Sequence, residues 1–237
     1  MAKLRIDIWS DIACPWCYIG KRRLEAALAQ FAHAGEVEIV CRAFELDPSA
    51  PRVRDESYVE RLGRKYGASP AKAQGMIDRM VAAGAGDGIE MRFDHIRPGN
   101  TFDSHRLLQL AHERGAQGAQ GALKERFMRA YLTEGEAIGE PAVLARLARE
   151  VGLEGGEVDE LLAGDRCAAD VRQDEAKARE LGISGVPFFV LAGRLGVSGA
   201  QPAEVLRGAL ERAWSELRAP AIEPIAEGAV CGPDGCD

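Results

Sequence analysis

The sequence predicts an α/β fold that carries a large helical insertion and a cysteine-containing C-terminal tail. Three observations predict it. A strand-like run at residues 4–9 leads, across a short junction, into a helical pattern at 21–28. A second β-branched, alternating run follows at 37–44. The long middle stretch, 55–181, repeats its apolar residues at three- and four-residue spacings, and strand-like runs return only after it, at 185–191.

The first strand-to-helix junction holds Cys14-Pro15-Trp16-Cys17. Two cysteines separated by two residues at such a junction are the sign of a dithiol–disulfide site. A helix start carries unpaired N–H groups and the positive end of the macrodipole, and both stabilise an anion. Cys14 falls at the N-cap, where its sulfur is expected to accept N–H bonds as a capping oxygen would. Pro15 takes the first helical position, where a missing donor costs nothing. Cys14 is therefore the expected nucleophile and Cys17, one turn inside, the resolving thiol. Half of a zinc site is the alternative use of this pair, but zinc needs four ligands.

The first helix should end near Ala34. In the second strand Val37, Ile39, Cys41 and Ala43 should share one face, which makes Cys41 a buried small hydrophobe. Pro48 and Pro51 end that strand. Tyr58, Val59 and Leu62, then Met76, Ile77, Met80 and Val81, mark helical faces, with a glycine-rich break at 84–88. Thr101 and Ser104 are placed to start a helix carrying Leu107, Leu108 and Leu110. Further helices are expected over 123–132, 140–151, 158–162 and 166–181, with Cys167 serving to pack. The run beginning at Gly185 and a partner at 195–199 form a hairpin about Gly193. Pro202 opens a last helix with Val205, Leu206, Leu210 and Trp214 inward. The expected organisation is a discontinuous α/β domain from 1–52 and 183–217, a helical insertion or lid from 53–182, and a flexible tail from 218–237.

At 237 residues the chain can bury a substantial core, and 46% hydrophobic with 28% charged residues is ordinary for a globular protein. A net charge of −7 argues against a nucleic-acid or anionic-membrane partner, and no apolar run has the length to span a bilayer. The first residues turn straight into a strand without an apolar h-region, so the expectation is a cytoplasmic protein without a signal peptide. In a reducing compartment cysteines serve catalysis, metals or packing rather than cross-linking.

The dithiol, the helical insertion and the later Gly185-Val186-Pro187 together resemble the DsbA branch of the thioredoxin superfamily, and hence a thioredoxin-like fold. Finer details resemble its FrnE-type subgroup. These are residues 10–20 around the dithiol, Phe44-Glu45-Leu46, Asn100-Thr101 with His105-Arg106-Leu107, and Ser198-Gly199-Ala200-Gln201-Pro202. The resemblance covers residues 3 to 217. It implies that Pro187 is cis beside the dithiol, and that Val186 offers backbone hydrogen bonds to an extended substrate chain. It also implies that Trp16 sets the redox environment, that Asn100 and His105 approach the site from the insertion, and that these residues bind substrate together with Pro15, Val186 and Pro187.

The implied activity is thiol–disulfide exchange or isomerisation on protein substrates, with a cellular reductant or glutathione as partner and no cofactor beyond the redox-active disulfide. Two alternatives accompany it. One is a glutathione-dependent isomerase or transferase of the 2-hydroxychromene-2-carboxylate isomerase type, a branch that usually has serine where this chain has Cys14. The other is a metal-binding or chaperone-like protein using the thiols as ligands. The tail adds Cys231 and Cys236 around Gly232-Pro233-Asp234-Gly235, a spacing that makes a tight turn and a short-ring disulfide feasible. Tethered through Pro220 and Pro224, that pair is expected to pass electrons to, or regulate, Cys14 and Cys17, with idle thiols in a disordered terminus and joint zinc ligation by the four cysteines as the alternatives.

Overall fold

The computed structural model describes residues 3–115 and 118–218, together with the backbone of 231–232 and 235–236. The chain runs β1 (Leu4–Ser10), α1 (Pro15–Ala29) and β2 (Val37–Ala43), then seven helices, then β3 (Phe188–Leu191), β4 (Leu195–Ser198) and α9 (Ala203–Arg218). The intervening helices are α2 (Tyr58–Tyr66), α3 (Pro70–Gly86), α4 (Phe102–Glu113), α5 (Ala119–Leu132), α6 (Pro141–Glu150), α7 (Gly155–Ala163) and α8 (Ala168–Glu180).

The four strands form one mixed sheet in the order β2-β1-β3-β4. β1 and β2 are parallel, with α1 as their crossover, whereas β3 and β4 pair antiparallel. Leu4 and Ile6 of β1 point to one face, where Phe189 and Leu191 join them against Leu24 and Ala27 of α1 and Leu206, Leu210 and Ala213 of α9. Trp9 points the other way, onto Ala178 of α8 and Ile183, and its indole N–H donates to the Asp174 carbonyl at 2.8 Å. Period-2 alternation in β1 thus divides the two layers.

The inserted helices start where local chemistry dictates. Ser57 and Glu60 form a reciprocal capping box on α2, and Ser69 caps α3 just ahead of Pro70. Their apolar faces build a core around Phe127, Tyr131, Leu107 and Leu123, which continues into Ile12, Ala13, Cys14, Cys17 and Tyr18. Fully burying one such side chain contributes about 1.5–3 kcal/mol. The dithiol, at the head of α1, therefore joins the core of the inserted helices.

Several expected details differ. α1 ends at Ala29, and a separate 3-10 turn covers Ala34–Glu36. α3 runs through Gly84 to Gly86, because the close approach of Met91 to Gly84 favours a residue without a Cβ there. Ile39 is exposed while Val40 is buried, since β2 is an edge strand with no further strand beyond it. Val205 is exposed as well, and the buried stripe of α9 is Leu206, Leu210 and Ala213. The tail at 219–230 lies outside the described residues. Beyond it, Cys231–Gly232 pairs antiparallel with Gly235–Cys236, placing Cys231 opposite Cys236 in register, and the side chains of that pair lie outside the described residues.

Candidate active site

β1 delivers the chain to the dithiol, and the loop from Asp11 to Cys14 turns it into α1. The Cys14 N–H donates to the Asp11 carbonyl at 3.3 Å, and the Cys14 carbonyl accepts from Cys17 and Tyr18 at 3.0 and 3.3 Å, which starts the helix. Cys14 is the N-cap in extended conformation and Pro15 follows at the first helical position. The expected capping by sulfur does not occur: the Cys14 side chain makes no cap hydrogen bond. Its thiol is turned toward the Val186 carbonyl at 3.8 Å, because a thiol has a proton to donate and the carbonyl is the acceptor it faces.

Cys14 and Cys17 are both free and buried, whereas Trp16 between them is 40% exposed. Burial pushes the Cys17 thiol well above its ordinary range, and the adjacent Cys14 sulfur adds to the shift.

The Val186–Pro187 peptide is cis. Pro187 is held by the Gly199 N–H, which donates to its carbonyl at 2.8 Å from a backbone with φ +79°. The stretch at 198–200 also receives α1, since Arg23 donates to the Ala200 carbonyl at 2.7 Å. On α1 itself, Gly20 leaves the space that the Pro187 ring occupies: a Cβ there would come within 2.9 Å of Pro187 Cγ. Gly20→Ala is therefore expected to destabilise by about 1–2 kcal/mol through overpacking. It should also slow attack by Cys14, because the ring and Val186 move together. Thermal unfolding and the alkylation rate of Cys14 check both, and an unchanged rate would separate Gly20 from the site.

Beneath the loop lies Asp11, only 1% exposed. Its carboxylate accepts the N–H groups of Ala13 at 3.3 Å and Leu46 at 2.8 Å, and His105 Nε2 stands 3.4 Å away. Burial alone would raise its pKa, but His105, the Leu46 N–H and the Thr101 side chain outweigh that and hold it below the usual carboxylate range. His105 thus meets the backbone support of the dithiol loop. Asn100 does something different: its amide donates to the Ala50 carbonyl at 3.2 Å and accepts the Phe102 N–H at 2.8 Å, fixing the entry to α4. Arg106 ties α4 to the α7–α8 connection, donating to the carbonyls of Leu161, Gly164 and Arg166.

The insertion also brings Tyr58, with Arg61 stacked 5.0 Å over its ring, to the Cys14 side. Burial pushes the Tyr58 phenol up to about 12. From α5, the buried Lys124 ammonium contacts Ser10 Oγ at the end of β1. Sequence reasoning gave no site role to Asp11, Tyr58, Arg61 or Lys124. Asp11 had a signal, a carboxylate followed by Ile12 and Ala13 immediately before the dithiol; Lys124 had none, since a lysine on an amphipathic helix reads as surface.

Of the other cysteines, Cys41 is buried, its N–H and carbonyl both held by the Gln120 amide at 2.8 and 3.0 Å. Cys167 is the buried N-cap of α8, at φ +61°, with its sulfur 3.4 Å from a Glu113 carboxylate oxygen. Burial, and then Glu113, push this thiol up to about 12, where it is no nucleophile. Among the described residues, the one cluster of metal-ligating side chains is Glu113, Cys167 and Asp170, and it includes neither cysteine of the dithiol.

A DSBA-like thioredoxin domain matches residues 5–211 of the chain. The fold is similar to that of a probable DsbA oxidoreductase from Streptomyces coelicolor, at 45% identity, 99% coverage of this chain and 98% of that one, with a TM-score of 0.85. It is also similar to the cytosolic disulfide reductase DsbM from Pseudomonas aeruginosa, at 21% identity, 91% and 99% coverage and a TM-score of 0.62. A 2-hydroxychromene-2-carboxylate isomerase shares the fold at 15% identity, 90% and 97% coverage and a TM-score of 0.63. With these matches on top of the mixed sheet, the inserted helices and the dithiol at the head of α1, the chain belongs to the DSBA-like thioredoxin domain family.

Proposed function

We propose that the protein is a dithiol–disulfide oxidoreductase acting on protein disulfides through Cys14 and Cys17. The observation that carries this reading is the pairing of Cys14, at the start of α1, with the Val186 carbonyl at 3.8 Å and a buried Cys17 one turn on. Cys14 attacks a substrate disulfide, a mixed disulfide forms, and Cys17 resolves it. The Val186 backbone stands beside the reacting sulfur, where an extended substrate chain adds to it in the manner of strand addition. The exposed Trp16 offers an apolar contact at the same place. A cellular reductant or glutathione returns the disulfide to the dithiol. Within the family, the Asn100-Thr101 and His105-Arg106-Leu107 stretch supports the FrnE-type subgroup.

The fold shared with the isomerase keeps glutathione chemistry as the second reading, and the cysteine at position 14 weighs against it. One assay separates them. Reduction of insulin disulfides should require both Cys14 and Cys17 and should proceed with a dithiol reductant alone. Turnover of a glutathione-dependent substrate with no insulin reduction would replace the proposal by the isomerase reading.

A further inference from the structure

Lys124 is a buried charge that lines the same cavity as Cys17 and that disulfide exchange as described leaves without a role. The side chain reaches from α5 to the end of β1 and is 3% exposed. Its ammonium donates to Ser10 Oγ, which in turn donates to the Ile8 carbonyl at 3.4 Å. Among the described residues, no carboxylate lies within ion-pairing distance of it. A buried ammonium whose only partner is a neutral hydroxyl is costly to keep, and an anion beside it would repay that cost.

The anion it can serve is the Cys17 thiolate. Cys17, Ser10 and Lys124 line one cavity of about 750 Å³, bounded by α1, β1, β2 and α5. The other charges facing that cavity compensate one another or sit in water. Lys21 and Arg22 of α1 are paired with Glu25 and with Glu125 of α5. Lys3, Glu38 and His112 are exposed. On the opposite side Cys17 meets Cys14 and the Asp11 backbone. Lys124 is left as the uncompensated positive charge on the cavity side, and it acts on Cys17 against the effect of burial.

We propose that Lys124 is a positioning residue for the second half of the exchange, its ammonium favouring the Cys17 thiolate as it forms to attack the mixed disulfide. Cys17 gives its proton to water in the cavity. The thiolate then forms a bond to Cys14 Sγ, and the bond between Cys14 and the substrate sulfur breaks. The substrate sulfur leaves with the electron pair and takes up a proton. Over both halves the substrate disulfide gains two electrons and the Cys14–Cys17 dithiol loses them. Lys124 and the Asp11 backbone both favour the thiolate against the cost of its burial.

This rests on the dithiol reading, so the test has two arms. In the first, a model peptide disulfide is mixed with reduced protein, and formation of the mixed disulfide and release of the peptide thiol are followed by rapid quench. Wild type forming and resolving the adduct supports the dithiol reading by itself. Lys124→Met should leave adduct formation unchanged, slow release about tenfold at neutral pH, and raise the midpoint of its pH profile by about one unit. Lys124→Arg should restore most of the rate. In the second arm, Cys17 is titrated by thiolate absorbance in Cys14→Ser and in Cys14→Ser with Lys124→Met, which needs no exchange activity. Lys124→Met removes a buried charge that has no carboxylate partner among the described residues, and Lys124→Gln serves as the second neutral variant. An upward move of the Cys17 midpoint in both neutral variants supports the role. An unmoved midpoint, or release as fast as wild type, would overturn it.

Discussion

Cys14→Ser is expected to abolish insulin disulfide reduction, by at least about a thousand-fold, while thermal unfolding shifts little. Serine is close in size to cysteine, and its hydroxyl can donate to the same Val186 carbonyl that the thiol faces. The extended N-cap position also suits serine. What is lost is the sulfur nucleophile, since a hydroxyl does not displace a thiolate from a disulfide. Cys17→Ser should behave oppositely: attack proceeds, but the mixed disulfide accumulates because nothing resolves it. The pair of variants assigns the two roles. Trapped substrate on Cys14→Ser rather than on Cys17→Ser would reverse the order of attack, and insulin reduction retained by both would remove the dithiol from the chemistry.

Much of this arrangement was legible before the structure. The strand–Cys-x-x-Cys–helix junction is local: residues 4–29 carry the alternation, the proline and the helical spacing together, so no distant contact is needed to read them. The inserted helices were legible for the same reason, as Leu107, Leu110, Leu123 and Phe127 repeat on the face that becomes the core. What failed depended on neighbours. Ile39 fits the alternating pattern of β2, yet it is exposed because the strand is at the sheet edge. Val205 lies one position off the α9 stripe for a comparable reason, since the axis of contact with β1 and β3 selects Leu206 and Leu210. Asn100 reads as a site residue by resemblance, but both its polar ends are spent on the entry to α4. Lys124 was invisible because its meaning arises from a contact across 114 residues of chain.

Asp11→Asn is expected to produce the largest loss of stability among single substitutions near the site, on the order of 3 kcal/mol at neutral pH. One carboxylate oxygen accepts the Ala13 N–H and the other the Leu46 N–H, with His105 and Thr101 completing the shell of a fully buried group. An amide of the same shape must set its NH₂ against one of those N–H donors, leaving a buried donor unmet. For a chain of this size the loss corresponds to a melting temperature lower by roughly 6–12 °C. The pH dependence has a definite sign. The folded pKa of Asp11 lies below its unfolded value, so the carboxylate's contribution is complete above about pH 4 and fades as pH falls through the folded pKa. The gap between wild type and Asp11→Asn should therefore be constant from pH 8 to pH 5 and narrow in more acidic solution. A gap that keeps its full size at the acid end would mean that the asparagine disturbs packing rather than charge. Because the same carboxylate holds the Ala13 N–H one residue before Cys14, the variant should also slow alkylation of Cys14 at pH 7. Unchanged alkylation alongside the stability loss would confine Asp11 to holding the loop against β2.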